Sequence, residues 1–263
     1  MSDRALYVYG VIPKGTSADV FEHVRGVDPT EPVMLVCDGE LAAVASAVRL
    51  DEFGEEVIEA NLRDARWLAE KVQAHDNVLS AAVGRTVVLP FRFGTIYRSE
   101  AQVQDLLRRR DDFRSTLARL DGATELGVKA FVDAHALRRR LAEGEGTHDD
   151  PISAGRAYMQ RRQVERRVGE DVDRFVADCA RESHARLTAG ARDGRANPIQ
   201  LPQSDVVAER MILNGAYLVD VDAQEEFRGA VRELEHAYGT NGVRYEVTGP
   251  WPPYNFVDEE AGS

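Results

Sequence analysis

The side chains best able to do chemistry in this 263-residue sequence are six histidines and two cysteines. His23, His75, His135, His148, His184 and His236 are scattered. No two stand three or four residues apart, the spacing that sets two imidazoles on one helix face. Cys37 and Cys179 lie far apart and in no metal-ligand spacing. They read as small buried hydrophobes in a reducing compartment, with a disulfide between them as the alternative. His148-Asp149-Asp150 has ligand-type side chains but sits in the polar segment 143–153, and reads as solvated loop. The sequence has no GxSxG elbow, no Walker lysine loop, no GxGxxG turn and no HExxH helix. The expectation is therefore a protein that is not an enzyme, with no catalytic residue, no metal and no cofactor.

Two segments depart from an ordinary soluble pattern. In Leu89-Pro90-Phe91-Arg92-Phe93-Gly94-Thr95 a strand meets a proline, two rings flank an arginine, and Gly-Thr turns the chain. Arg92 is placed either to clamp two elements, with Glu125 as a possible carboxylate partner, or to form a contact surface with Pro90, Phe93, Gly94 and Thr95. The second segment is Thr248-Gly249-Pro250-Trp251-Pro252-Pro253-Tyr254-Asn255-Phe256. Its prolines make it stiff and extended, and Trp251 and Tyr254 make it sticky. Either it folds back on its own chain, or Trp251, Pro252, Pro253 and Tyr254 form a protein-binding strip. Residues 258–263 are expected to be disordered beyond it.

Charge narrows the partners. The formal net charge is −12, with both signs mixed along the chain. A uniformly acidic surface repels phosphate backbones, which argues against nucleic acid. Arg161-Arg162 and Arg166-Arg167 are followed by Glu170, Asp171 and Asp173, and Arg108-Arg109-Arg110 by Asp111-Asp112. Both read as solvated helix faces, with a docking surface for an acidic partner as the alternative for the first. No run approaches the roughly 18 apolar residues of a spanning helix. The first residues carry no basic segment leading into a long apolar one, so no secretion signal is expected.

The elements that must position these segments follow a repeated order. Ala5 to Ile12 reads as a central strand, and a short helix spans 17–25. Strands over 33–37 and 41–48 flank Asp38-Gly39, a strong hairpin signal. A helix runs from about Glu55 to Val83, with a break near His75-Asp76-Asn77, and Thr86 to Phe91 is a strand. Ser99 and Gln102 form a capping box for a helix closed by Gly122. The second half reads as strand 126–132, short helix 135–142, loop 143–153, long helix 154–189, an irregular strand over 199–207, and strand 211–219. A helix opened by Asp222 and Glu225 and a last strand over 243–248 complete it. That is the βαββαβ order of a ferredoxin-like domain. The predicted class is α+β with two domains. Residues 1–120 form an α+β sheet with helices on one face, including a connector helix over 99–120. Residues 121–263 form the ferredoxin-like domain with the Pro/aromatic tail.

The sequence resembles the gas vesicle protein L/F family (GvpL/GvpF). The matching pieces are Tyr7-Val8-Tyr9-Gly10, His75 with Val78-Leu79, Val88 through Thr95, and Glu125-Leu126-Gly127-Val128-Lys129. In the second half they are Gly155-Arg156-Ala157-Tyr158-Met159, Ala216-Tyr217-Leu218-Val219 and Gly249 through Phe256. They keep the family's order. Leu126 stands where an aromatic is common, and Asn255 where serine is common. The resemblance implies two α+β domains, the C-terminal one ferredoxin-like, and a non-enzymatic accessory or minor structural role in gas vesicles. It also implies a cytoplasmic protein that binds the small hydrophobic shell protein, and other gas vesicle accessory proteins, without a membrane span. The other reading of the chain is a cytosolic enzyme or ligand-binding module on a tandem ferredoxin-like scaffold.

Overall fold

The computed structural model describes residues 4–109, 112–144, 154–199 and 209–257. Residues 145–153 of the expected loop over 143–153, residues 200–207 of the irregular strand over 199–207, and the tail end 258–263 lie outside the described residues. The chain divides into two compact units, Met1–Glu125 with Pro250–Ser263, and Leu126–Gly249. The sequence places the tail with the second half, whereas its contacts put it in the first unit. Gly249, at φ +102°, takes a conformation open mainly to glycine at the point where the chain returns.

In the first unit, β1 (Arg4–Pro13) is central. It pairs antiparallel with β3 (Leu41–Arg49) on one side and with β4 (Leu89–Pro90) and β5 (Ile96–Tyr97) on the other. β2 (Val33–Asp38) ends the order β2-β3-β1-β4. The β2–β3 hairpin turns on Gly39-Glu40, with Gly39 at φ +55°, the first-position glycine of a two-residue turn.

A bulge at Tyr9 shifts the register between Val8 and Gly10. Ala5, Tyr7, Tyr9 and Ile12 then face one core, and Val8 and Val11 the other. The same close approach requires Gly10, because a Cβ there would stand 2.5 Å from the Leu89 carbonyl oxygen.

Both faces of this sheet are apolar, and both carry helices, which corrects the expectation of one covered face. Short helices α1 (Leu50–Phe53) and α2 (Glu55–Asn61) lead into α3 (Ala65–Ala82), whose Val78, Leu79 and Ala82 join the Tyr7 side. α4 (Glu100–Arg109) and α5 (Asp112–Leu120) pack Val103, Leu107, Phe113 and Leu117 on the Val8 side. The single helix expected over 55–83 is broken at 62–64. Asp64 caps a new start there by accepting from Arg66 N–H at 2.9 Å and Trp67 N–H at 3.2 Å. Helix α3 runs unbroken through His75-Asp76-Asn77. Ordered strand at 86–91 shrinks to two residues, since Pro90 offers no donor to a ladder.

The second unit is a four-stranded sheet of order β7-β8-β6-β9. Its elements are β6 (Ala123–Asp133), α6 (Ala134–Gly144), α7 (Ala154–Ala189), β7 (Asp193–Ala196), β8 (Glu209–Asp220), α8 (Gln224–Tyr238) and β9 (Val243–Trp251). Val168, Val172, Val176, Cys179 and Leu187 of α7 meet Leu213, Tyr217 and Val219 of β8 in one core. β7 has no apolar alternation and is a strand because it pairs with residues 215–218. A 3-10 turn over Val221–Ala223 replaces the expected Asp222 cap of α8, which has no side-chain cap. Among the described residues, no helix is long and apolar enough to cross a membrane.

Candidate functional site

The two unusual segments meet within the first unit. β1 carries Tyr7 and Tyr9 inward, both 0% exposed. Tyr9 accepts from Val27 N–H at 2.9 Å and bonds the Ser46 hydroxyl at 2.7 Å. The Tyr7 hydroxyl accepts from Gly94 N–H at 3.0 Å and lies 2.9 Å from His75 Nδ1. The Tyr7 oxygen has a second lone pair, so which of the hydroxyl and Nδ1 donates follows the imidazole tautomer.

Nε2 makes no hydrogen bond and is buried. Burial pushes the imidazole down to about 4, with the nearby Phe91 carbonyl offsetting a smaller part. His75 is neutral at pH 7. Burial also raises the Tyr7 phenol above its usual range.

Rings close around this pair. Phe93 stands edge-on to Tyr7 at 6.0 Å, to His75 at 5.9 Å and to Trp67 at 6.5 Å between centroids. Tyr254 stacks on His75 at 6.3 Å and 26°. These geometries are the attractive ones for aromatic quadrupoles. The Tyr254 hydroxyl donates to Asp76 Oδ1 at 2.9 Å, and its phenol is raised chiefly by burial and then by the Asp76 charge.

The tail is held by its neighbours as well. Asn255 N–H donates to Glu125 Oε2 at 2.9 Å, and its side-chain amide donates to Oε1 at 2.6 Å. Glu125 is 6% exposed, so both donors act on a carboxylate removed from water. Thr124 donates to the Trp251 carbonyl at 3.3 Å, and the Arg119 guanidinium to the Phe256 carbonyl. Pro252, Pro253 and Phe256 are buried.

Each sequence-nominated residue has a definite place. Pro90 is buried opposite Gly10, and the Thr95 hydroxyl donates to the Arg92 carbonyl at 2.8 Å. Gly94, at φ +88°, makes the bend that presents its N–H to Tyr7. Phe93 and Tyr254 are brought together over His75. Arg92 is exposed, and its flanking rings diverge: Phe91 enters the core on the Val8 side, and Phe93 packs on the Tyr7 side. The two rings that flank Arg92 in sequence therefore lie in different cores. Trp251 is 46% exposed, while Pro252 and Pro253 beside it are buried.

Sequence reasoning left Tyr7, His75, Asp76, Glu125 and Asn255 out of the nominated site. Four of them stood within the quoted motif pieces, and co-occurrence of those pieces was the available signal.

The arrangement is a closed clasp. The crevice beside Trp251 and Pro253 has a volume of about 20 Å³, room for about one water. Among the described residues no group of three His, Cys, Asp or Glu could hold a metal ion.

Comparison with known proteins gives a consistent result. The family profile described as gas vesicle synthesis protein GvpL/GvpF matches residues 5–258. Gas vesicle protein L of Streptomyces sp. (strain CB03234) is 36% identical, over 97% of this chain and 94% of that one. Gas vesicle protein F1 of Halobacterium salinarum is 30% identical, over 98% of this chain and 95% of that one. The crystal structure of GvpF from Anabaena sp. PCC7120 shares the fold, with a TM-score of 0.68 at 20% identity, over 97% of this chain and 96% of that one.

Proposed function

The chain belongs to the GvpL/GvpF family of gas vesicle synthesis proteins, and from that premise we propose that it binds the hydrophobic shell protein, keeps it from aggregating and helps it into the growing wall. The near-complete family match over residues 5–258 carries this reading. Physical chemistry supports it. A subunit that builds a gas-facing wall exposes apolar surface before assembly, and such surface aggregates. A partner of net charge −12 that covers the surface keeps the complex dispersed. The role needs no catalytic step, and the protein acts in the cytoplasm at the vesicle, alongside other accessory proteins.

In this reading the clasp is structural. Pro90, Phe93, Gly94, Thr95, Pro252, Pro253 and Tyr254 fix the tail, while Arg92 and Trp251 remain at the surface for a partner. The test is co-expression of the shell protein with and without this chain. The expected result is more soluble shell protein, co-purifying with the chain. Equal aggregation in both cases, with no co-purification, overturns it.

A further inference from the structure

An interaction surface lies on the outer edge of the first sheet. β2 ends the strand order, so one side of it faces no strand. Asp38 and Leu41 flank the two-residue turn and are a hydrogen-bonded pair. Alternation carries that pattern to Val36–Ala43 and Met34–Ala45. Val33, Leu35 and Cys37 therefore aim their N–H and C=O groups away from β3. The Arg25–Pro32 bridge takes up the start of this edge, beside Val33, and among the described residues the outward groups of Leu35 and Cys37 have no further backbone partner.

The other edges are guarded. β4 is two residues long and contains Pro90. β7 is four residues long and carries Asp193 and Arg195. β9 carries Arg244, which bonds Glu209 and Glu246, and Pro250. Short length, charge and proline are the usual defences against strand addition. β2 has none of them from Val33 through Cys37, and its Met34 is 39% exposed.

The start of this edge opens onto a groove of about 370 Å³, walled by Phe21, Val24, Pro32 and Val33. Asp19, Glu22 and Arg25 also line it and are exposed. Two carboxylates against one guanidinium favour a cationic visitor. An open ladder with an apolar, acid-rimmed end is a template for β-augmentation.

We propose that the free edge of β2 takes an extended apolar segment of the shell protein as an added strand, with a lysine or arginine of that segment over Asp19 and Glu22. This rests on the shell-binding reading above. At about 3.3 Å per residue the edge from Leu35 to Asp38 accommodates a segment of roughly four residues.

The test uses the full chain co-expressed with the shell protein. In the complex, amide exchange at Leu35 and Cys37 should slow by about tenfold or more relative to the free chain. Met34, Val36 and Asp38, already bonded to β3, should change little. Leu35→Pro removes one outward N–H but also the packing of Leu35 on the Tyr7 core, which Leu35→Ala removes while keeping the N–H. Both variants should melt lower, and only Leu35→Pro should lose about tenfold of the captured shell protein. Asp19→Asn with Glu22→Gln should weaken capture a few-fold, most at low salt.

If the wild-type chain captures no shell protein, the shell-binding reading itself fails. If it captures shell protein while exchange at the Leu35 and Cys37 amides is unchanged, the edge is the wrong surface and shell binding stands. If Leu35→Pro does not fold, the wild-type exchange pattern decides alone. A free chain that sediments as a dimer with these amides already protected has a second copy on the edge, and the proposal is overturned.

Discussion

Acid should weaken the first unit through His75, by an amount set by the clasp. The imidazole is 2% exposed, and burial holds it at about 4 against an ordinary 6.5. Between those values the unfolded chain takes a proton that the folded chain refuses. The folded pKa is the depressed one, so this contribution is fully present above pH 6.5. It is lost as pH falls toward 4, at up to about 1.4 kcal/mol per pH unit and roughly 3 kcal/mol in all.

Both tryptophans, Trp67 and Trp251, belong to the first unit. Tryptophan fluorescence during urea denaturation therefore follows this unit and not the other. His75→Asn keeps an acceptor near Nδ1 for the Tyr7 hydroxyl and cannot titrate. Wild type should lose roughly 3 kcal/mol more than His75→Asn between pH 7 and pH 4. The two proteins differ only at residue 75, so the difference between their slopes reports that side chain. Equal pH slopes for the two proteins would refute a buried neutral His75.

Three other outcomes follow from the geometry. Gly10→Ala brings a Cβ to 2.5 Å from the Leu89 carbonyl oxygen and 3.2 Å from Pro90 Cα, both backbone atoms. It should cost about 1–3 kcal/mol in urea midpoint measurements. Glu125→Gln sets an amide NH2 against one of the two Asn255 donors. It should lower the first unit's stability by about 2 kcal/mol and loosen the tail, read as increased acrylamide quenching of Trp251. Arg92→Ala, at an exposed position, should change stability by less than about 1 kcal/mol. A loss of several kcal/mol there would restore the enclosed clamp that the sequence suggested.

Much of the fold was legible from local pattern. The β1 strand, the Gly39 hairpin, the α8 amphipathic face and the Met211–Val219 strand each carry their signal in neighbouring residues, because periodicity and turn chemistry are local. Half of the expected Ser99–Gln102 capping box formed: the Ser99 hydroxyl accepts from Gln102 N–H at 3.4 Å, while the Gln102 side chain accepts from Arg98 N–H at 2.8 Å. Where the signal was ambiguous, packing decided. A continuous apolar stripe over 55–83 hid the Asp64 cap, and β7 is strand only through its partner.

The site divides in the same way. Residue types alone already argued against a catalytic or metal constellation, and the proline-aromatic tail announced that it would not stay in water. That Phe93 and Tyr254 share His75 and that Glu125 serves Asn255 depend on contacts between residues 18 to 179 positions apart; Tyr254 and Asp76, for instance, are separated by 178 positions. Side-chain spacing in sequence carries no information about such pairs. They are decided when β1 sets Tyr7 on the face that α3 covers and the tail closes over it.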